Sequence, residues 1–185
     1  MSDASLLALT ASGDVAAFGT LLDRHQAMVL TLASRMMAHA AGADDVAQET
    51  LLRLWRSAGS LELGNADAGP WLRRVASNLC IDRLRVQGRW APMDDTVPEP
   101  FEPATQLAGF ARRETEARVE AALQCLPDRQ RVALALFHFE DLSMAAIADR
   151  LALSVEAVES LLARARRTLK KDLEAEWRLL LEASS

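Results

Sequence analysis

From Phe18 onward the apolar residues Leu21, Leu22, Met28, Val29, Leu32 and Met36 return every three or four positions, with polar residues between them. That is the repeat of an amphipathic helix. No stretch sustains a two-residue alternation of β-branched residues, so the pattern predicts an all-α fold. In DDVAQETLLRLW, a turn of 100° per residue gathers Asp45, Gln48, Glu49 and Leu52 on one face and Ala47, Leu51, Leu54 and Trp55 on another. The second face is read as core. In WLRRVASNLCIDRLRVQGRW, Leu72, Val75, Ala76, Leu79 and Val86 form the stripe expected to be buried, and Arg74, Asn78 and Arg85 point to a different side. Further along, Pro127 opens one helix, Ser143 caps a second and Ser154 caps a third. Ile147, Leu151 and Val158 then supply the core of a helix-turn-helix whose connection is Ala152, Leu153 and Ser154.

The periodicity stops at residues 91–109, which carry four prolines and four acids and no base. Such a composition favours extended, solvated chain and predicts a flexible linker. The expected organisation is therefore two small helical domains, 1–90 and 110–185, joined by 91–109, the C-terminal one containing the helix-turn-helix.

Charge changes this picture more than composition does. The chain of 185 residues has a net charge of −5, but residues 69–90 hold five bases and one acid, and residues 143–171 six bases and three acids. Two basic islands around an acidic linker fit a protein that meets a polyanion at two places, although solvated helix surface explains the charge alone equally well. Cys80 and Cys125 lack neighbours at metal-ligand spacing, and no metal, cofactor or disulfide framework is expected. His25, His39 and His138 stand isolated along the chain, no glycine-rich loop could cradle a phosphate, and no nucleophile has a neighbouring base. An enzyme with a small-molecule substrate is not indicated. Without a basic leader or a long apolar run, secretion and membrane insertion are not expected, and a cytoplasmic location is.

The acidic face with its Leu52 edge suits docking on a basic helix of a partner, although taken alone it reads more readily as a solvated face with Asp44 and Asp45 at a helix N-terminus. Arginines pair with phosphates in bidentate fashion and an Asn among them can address a base edge, so Arg73, Arg74, Asn78, Arg83, Arg85 and Arg89 make a candidate nucleic-acid surface, although a basic amphipathic helix with no ligand explains this segment alone equally well. On the last helix Ser160, Arg164, Arg167 and Lys171 form a stripe opposite Val158, Leu161, Leu162, Ala165 and Leu169. A recognition helix presents such a face to the major groove.

DDVAQETLLRLW followed by GPWLRRVASNLCIDRLR resembles the second conserved region of bacterial sigma factors of the extracytoplasmic-function group, and the run from Leu126 to Lys171, with its ARAR ending, resembles the fourth. The resemblance covers nearly the whole chain. It implies a promoter-specificity subunit that binds core RNA polymerase through the β′ clamp helices and the β flap, with Asp45, Gln48, Glu49 and Leu52 at the clamp. It implies that Arg73, Arg74, Asn78, Arg83 and Arg85 hold the −10 element, and that the loop Ser60–Gly69 captures a flipped base with Asn65 and Asp67 as its polar candidates. It further implies that Glu156, Glu159, Ser160, Ala163, Arg164, Arg167 and Lys171 meet the −35 element, and that an anti-sigma factor controls the protein. The linker is then expected to thread a basic channel of the polymerase, its acids mimicking nucleic acid.

The chain departs from its relatives in two places. Ala152 stands where they commonly have Gly, so the turn must be strained or differ. Glu159 follows Val158 where they usually carry a base, which alters −35 preference or shifts the helix in the groove. Two other readings remain at this point, a stand-alone helix-turn-helix regulator and a decoy that binds only an anti-sigma protein. The first leaves the acidic and basic N-terminal helices without a role, and the second would not need both basic stripes.

Overall fold

The computed structural model describes residues 1–38, 40–61, 67–90 and 111–183, excluding the side chains at 40–41, 111–117 and 174–183. The linker 91–109, Asn65 and His39 lie outside the described residues, as do the side chains of Trp177, Leu179 and Leu181. Among the described residues there are eight helices and no strand: α1 (Asp3–Ala11), α2 (Val15–Met36), α3 (Ala40–Ser57), α4 (Gly69–Val86), α5 (Ala111–Gln124), α6 (Asp128–His138), α7 (Met144–Leu151) and α8 (Val155–Ala183). The all-α expectation holds. The chain forms two compact units, Met1–Val86 and Gln87–Ser185.

In the first unit α2 is the central helix, packed by α1, α3 and α4, with α3 also against α4. The Asp14 carboxylate starts α2 by accepting the Ala16 and Ala17 N–H groups at 2.9 and 3.0 Å, which satisfies donors that have no partner within the helix. Leu21, Val29, Leu32, Ala33 and Met36 of α2 meet Ala43, Val46 and Leu54 of α3 and Leu72, Ala76, Cys80, Ile81 and Leu84 of α4 in one buried core. Each large side chain there contributes about 1.5 to 3 kcal/mol. Phe18 stacks edge-on against Trp55 with ring centroids 4.7 Å apart, joining α2 to α3.

Two details differ from the sequence pattern. The buried stripe of α3 is centred on Val46, Thr50 and Leu54, leaving Leu51 and Trp55 half-buried at its edge. Of the residues read as the buried α4 stripe, Val75 is half-buried and Val86 is 89% exposed. Val86 is the last residue of its helix, and Ile81 and Leu84 do the packing instead.

In the second unit α8 packs against α5, α6 and α7. Residues Arg131–Leu136 of α6 are buried all round, as in a helix at the centre of its unit. Arg131, only 1% exposed, donates from Nη1 to the Leu126 carbonyl at 2.9 Å and pairs with Asp128, so its charge is neutralised where it is buried. The predicted caps are present. The Ser143 hydroxyl accepts the Ala146 N–H at 3.2 Å and the Ser154 hydroxyl the Ala157 N–H at 3.2 Å. Between them Ala152 takes φ 55° and ψ 50°. The turn therefore keeps the left-handed geometry that Gly favours, and Ala bears the strain.

Candidate polymerase and nucleic-acid interfaces

On α3, Asp45, Gln48 and Leu52 are exposed and Glu49 is half-buried, all on the side away from the Val46, Thr50 and Leu54 stripe. Leu52 is an apolar edge beside carboxylates. Two of the acids already have cationic partners. Glu49 accepts from Arg53 Nε at 2.9 Å one helical turn on, and Asp45 accepts from Arg83 Nη1 at 3.1 Å. Both pairs are solvent-accessible, so each is worth a few tenths of a kcal/mol and is readily exchanged for a stronger partner.

The Arg83 contact joins two surfaces that the sequence reading kept apart. Arg83 also reaches the Gly42 carbonyl at 3.4 Å, so it pins α4 to the start of α3 besides belonging to the basic set. Arg85 pairs with Asp82 at 3.8 Å on its own helix. Arg74 and Asn78, one turn apart on α4, are exposed, and Arg73 is half-buried. Asp67 is exposed, and its Oδ1 accepts the Gly69 N–H at the start of α4. That is an Asx-type turn, which gives Asp67 a helix-starting role that sequence spacing did not show.

Behind that turn lies a polar junction that the sequence reading missed. Asp3 and His25 are both buried, with His25 Nε2 2.6 Å from Asp3 Oδ2. The same oxygen accepts the Ala68 N–H at 3.0 Å, and Oδ1 accepts from Arg24 Nη1 at 2.7 Å. Burial pushes the Asp3 carboxyl up, but the Ala68 N–H, Arg24 and His25 together hold it below its ordinary value of 3.8. His25 was expected to be isolated. It is isolated in sequence only, because its partner lies on another helix.

On α8, Ala163, Arg167 and Lys171 are exposed and Ser160 and Arg164 half-buried, while Val158, Leu161, Leu162 and Ala165 are buried and Leu169 half-buried. The expected stripe is thus open toward its C-terminal half. Arg166, not picked out from sequence, is exposed and sits over the Phe137 ring at 5.4 Å. Glu159 is exposed. Glu156 is too, but its carboxylate is held below the ordinary value of 4.5 by its own N–H and by the Ser154 side chain. It is turned onto the helix N-terminus, a favourable place for an anion.

Residues 21–90 match the family Sigma-70 region 2, and residues 116–169 match Sigma-70, region 4. The ECF RNA polymerase sigma factor SigM of Mycobacterium tuberculosis is 35% identical over 172 residues, covering 92% of this chain and 84% of that protein. The RNA polymerase sigma-H factor of Pseudomonas aeruginosa is 34% identical over 182 residues, covering 93% of this chain and 94% of that protein. The chain belongs to the ECF sigma factors. Among solved structures, CnrH in complex with the cytosolic domain of CnrY is similar with a TM-score of 0.54 and 28% identity, covering 95% of this chain and 99% of that one. RpoE of Bartonella quintana, solved with the anti-sigma factor NepR, shares the fold at a TM-score of 0.56 and 23% identity over 85% of this chain and 96% of that one. As an ECF sigma factor the protein is a promoter-specificity subunit, with the regions that engage core RNA polymerase and promoter DNA during transcription initiation. Sigma factors are regulatory subunits rather than enzymes. Among the described residues no helix is long and apolar enough to cross a membrane.

Proposed function

We propose that this sigma factor divides its work between three surfaces. The α3 face of Asp45, Gln48, Glu49 and Leu52 docks on the basic clamp helices of the polymerase β′ subunit. Arg74 and Asn78 of α4, supported by Arg73, Arg83 and Arg85, hold the −10 element. Arg164, Arg167 and Lys171, with Ser160 and Ala163 toward the helix start, meet the −35 element, and the second unit docks on the β flap. Glu159 is the residue of that surface with acceptor chemistry for a cytosine amine. Glu156, engaged at the helix N-terminus, orders the reading end of α8 rather than reading a base.

The observation that carries this reading is the presence, in two separate compact units, of an exposed basic face on a helix whose opposite side is core. Residues 1–90 are the domain for polymerase and the −10 element, 91–109 the linker between the two grips, and 110–185 the domain for the −35 element. The protein works in the cytoplasm and catalyses no reaction of its own. Control by an anti-sigma factor is supported by the 28% identical CnrH, which is held by the cytosolic domain of CnrY.

The test is co-elution with bacterial core RNA polymerase on a sizing column, beside a variant with Asp45, Gln48 and Glu49 changed to Ala. Wild-type co-elution that weakens in the variant is expected. Absence of co-elution at low salt overturns the reading.

A further inference from the structure

Helix α4 carries the residues assigned to the −10 element, yet the anchoring of its first turn comes from the far end of the chain. The Ala68 and Gly69 N–H groups are among those a helix start leaves without partners. Gly69 N–H goes to Asp67, its near neighbour, and Ala68 N–H goes to Asp3, 65 residues away. Asp3 is in turn held by His25 and Arg24 of α2, and Arg24 Nη2 reaches the Met1 carbonyl at 3.0 Å. One buried carboxylate therefore ties α1, α2 and the start of α4 together. Asp3 and its helix α1 lie outside residues 21–90, the segment that matches the family.

Asp3, His25 and Asp67 place ligand atoms within 4.8 Å of one another, the donor chemistry of a divalent cation site. Their hydrogen bonding argues otherwise. Asp3 Oδ2 already serves His25 and an amide N–H, Oδ1 serves a guanidinium, and Asp67 serves Gly69 N–H. A cation there would meet donors aimed at the same lone pairs and a positive charge beside them.

We propose that Asp3 is a positioning residue for promoter opening, fixing the first turn of α4 so that Arg74 and Asn78 stand at the depth and rotation the −10 element requires. This rests on the assignment of α4 to the −10 element. The apolar stripe of α4 fixes which side faces the core, but an apolar contact tolerates a small slide or roll. A buried, charge-assisted hydrogen bond at the helix start does not. His25 and Arg24 hold the carboxylate in place, so α1 is part of the DNA-reading unit.

The test uses full-length chain loaded on core RNA polymerase. A duplex is selected from a random-sequence library with the wild type, and a copy is made with the −10 segment already unpaired by mismatches. Asp3→Asn keeps the shape and removes the charge, Arg24→Ala removes a half-exposed partner but leaves the Ala68 contact, and Leu7→Ala loosens the packing of α1 while keeping the Asp3 hydrogen bonds. Core affinity, thermal melting and the rate of strand opening by permanganate reactivity are read for each. Asp3→Asn is expected to keep core affinity within about twofold, to open the duplex about tenfold more slowly, and to recover most of that loss on the pre-opened copy. Arg24→Ala, which loosens the carboxylate but leaves the Ala68 contact, is expected to open the duplex at a rate between those of Asp3→Asn and the wild type, and Leu7→Ala at close to the wild-type rate although it melts earlier. Normal duplex opening by Asp3→Asn overturns the proposal. So does an equal opening defect in Leu7→Ala at matched loss of melting temperature, which makes the role purely structural, and the same comparison decides the case if Asp3→Asn itself folds poorly. If instead the wild type binds core but selects no duplex, the −10 assignment fails, and this inference fails with it for a reason the variants identify.

Discussion

At the scale of single residues, the clearest strain is Ala152, held at φ 55° in the turn between α7 and α8. Changing Ala152→Gly relieves a left-handed penalty of about 1 to 2 kcal/mol against a gain in unfolded-chain freedom of about 0.4 to 1 kcal/mol. The net expectation is a second unit more stable by about 0.5 to 1 kcal/mol, read as a higher urea midpoint with an unchanged slope. Arg131 presents the opposite case. Its guanidinium is buried with Asp128 and a carbonyl as partners, and Asp128 also pairs with Arg89 at 2.6 Å, so Arg131→Ala leaves the buried carboxylate with one cation instead of two and the Leu126 carbonyl without its donor, at a cost of about 2 to 3 kcal/mol. Arg131→Met, which refills the space, is expected to recover part of the stem's packing but not the pairing, and urea denaturation of the two variants checks this. The capping residues Ser143 and Ser154 and the strained Ala152 were legible because each acts within three or four residues of itself. The contact of Glu156 with the helix start was not, because an acid two places beyond an N-cap reads the same in sequence with or without it.

At the scale of helices, periodicity located the cores of α2, α4 and α8 but was least secure at edges and ends. Val86 continues the α4 repeat in sequence and yet is exposed as the last residue of its helix, because a period alone does not bury a side chain. The junction at the start of α4 was invisible for a related reason. Asp3, His25 and Ala68 share no spacing, and only the packing of α1 and α4 on α2 brings them together. Its electrostatics give a signed expectation. The native Asp3 carboxyl lies below 3.8, so its contribution to stability is complete above that value and is lost as pH falls through the lower native one. The stability gap between wild type and Asp3→Asn should therefore be widest above about pH 5 and shrink in more acidic solution. Denaturant melts across that range measure it, and a gap that widens on acidification contradicts the arrangement.

At the scale of the whole molecule, the distribution of charge matters more than its sum. A chain of net charge −5 with short basic faces makes few phosphate contacts and releases few counterions. The isolated protein is expected to bind promoter duplex weakly at every salt concentration, with only a shallow salt dependence, while the polymerase-bound protein binds it tightly. Filter binding across a salt series distinguishes the two, and tight, salt-resistant binding by the isolated chain would contradict the division of labour between chain and polymerase. The two-unit, all-helical plan was legible because the break at 91–109 is compositional and the repeats on either side are long. The depth at which each basic side chain sits was not, as Ser160 and Arg164 show, since half-burial depends on neighbours from other helices.

The tie between Asp3 and Ala68 also bears on where this folding unit begins. Alignment places the start of region 2 at residue 21. Bonding places it at least as early as Asp3, because a fragment cut at residue 21 keeps His25 and the Ala68 amide but removes the oxygen that both address. Such a fragment would retain every residue by which its family is recognised and still contain a buried imidazole and a helix start lacking their acceptor. The segment that identifies a protein and the segment that folds as one piece are here different stretches of chain.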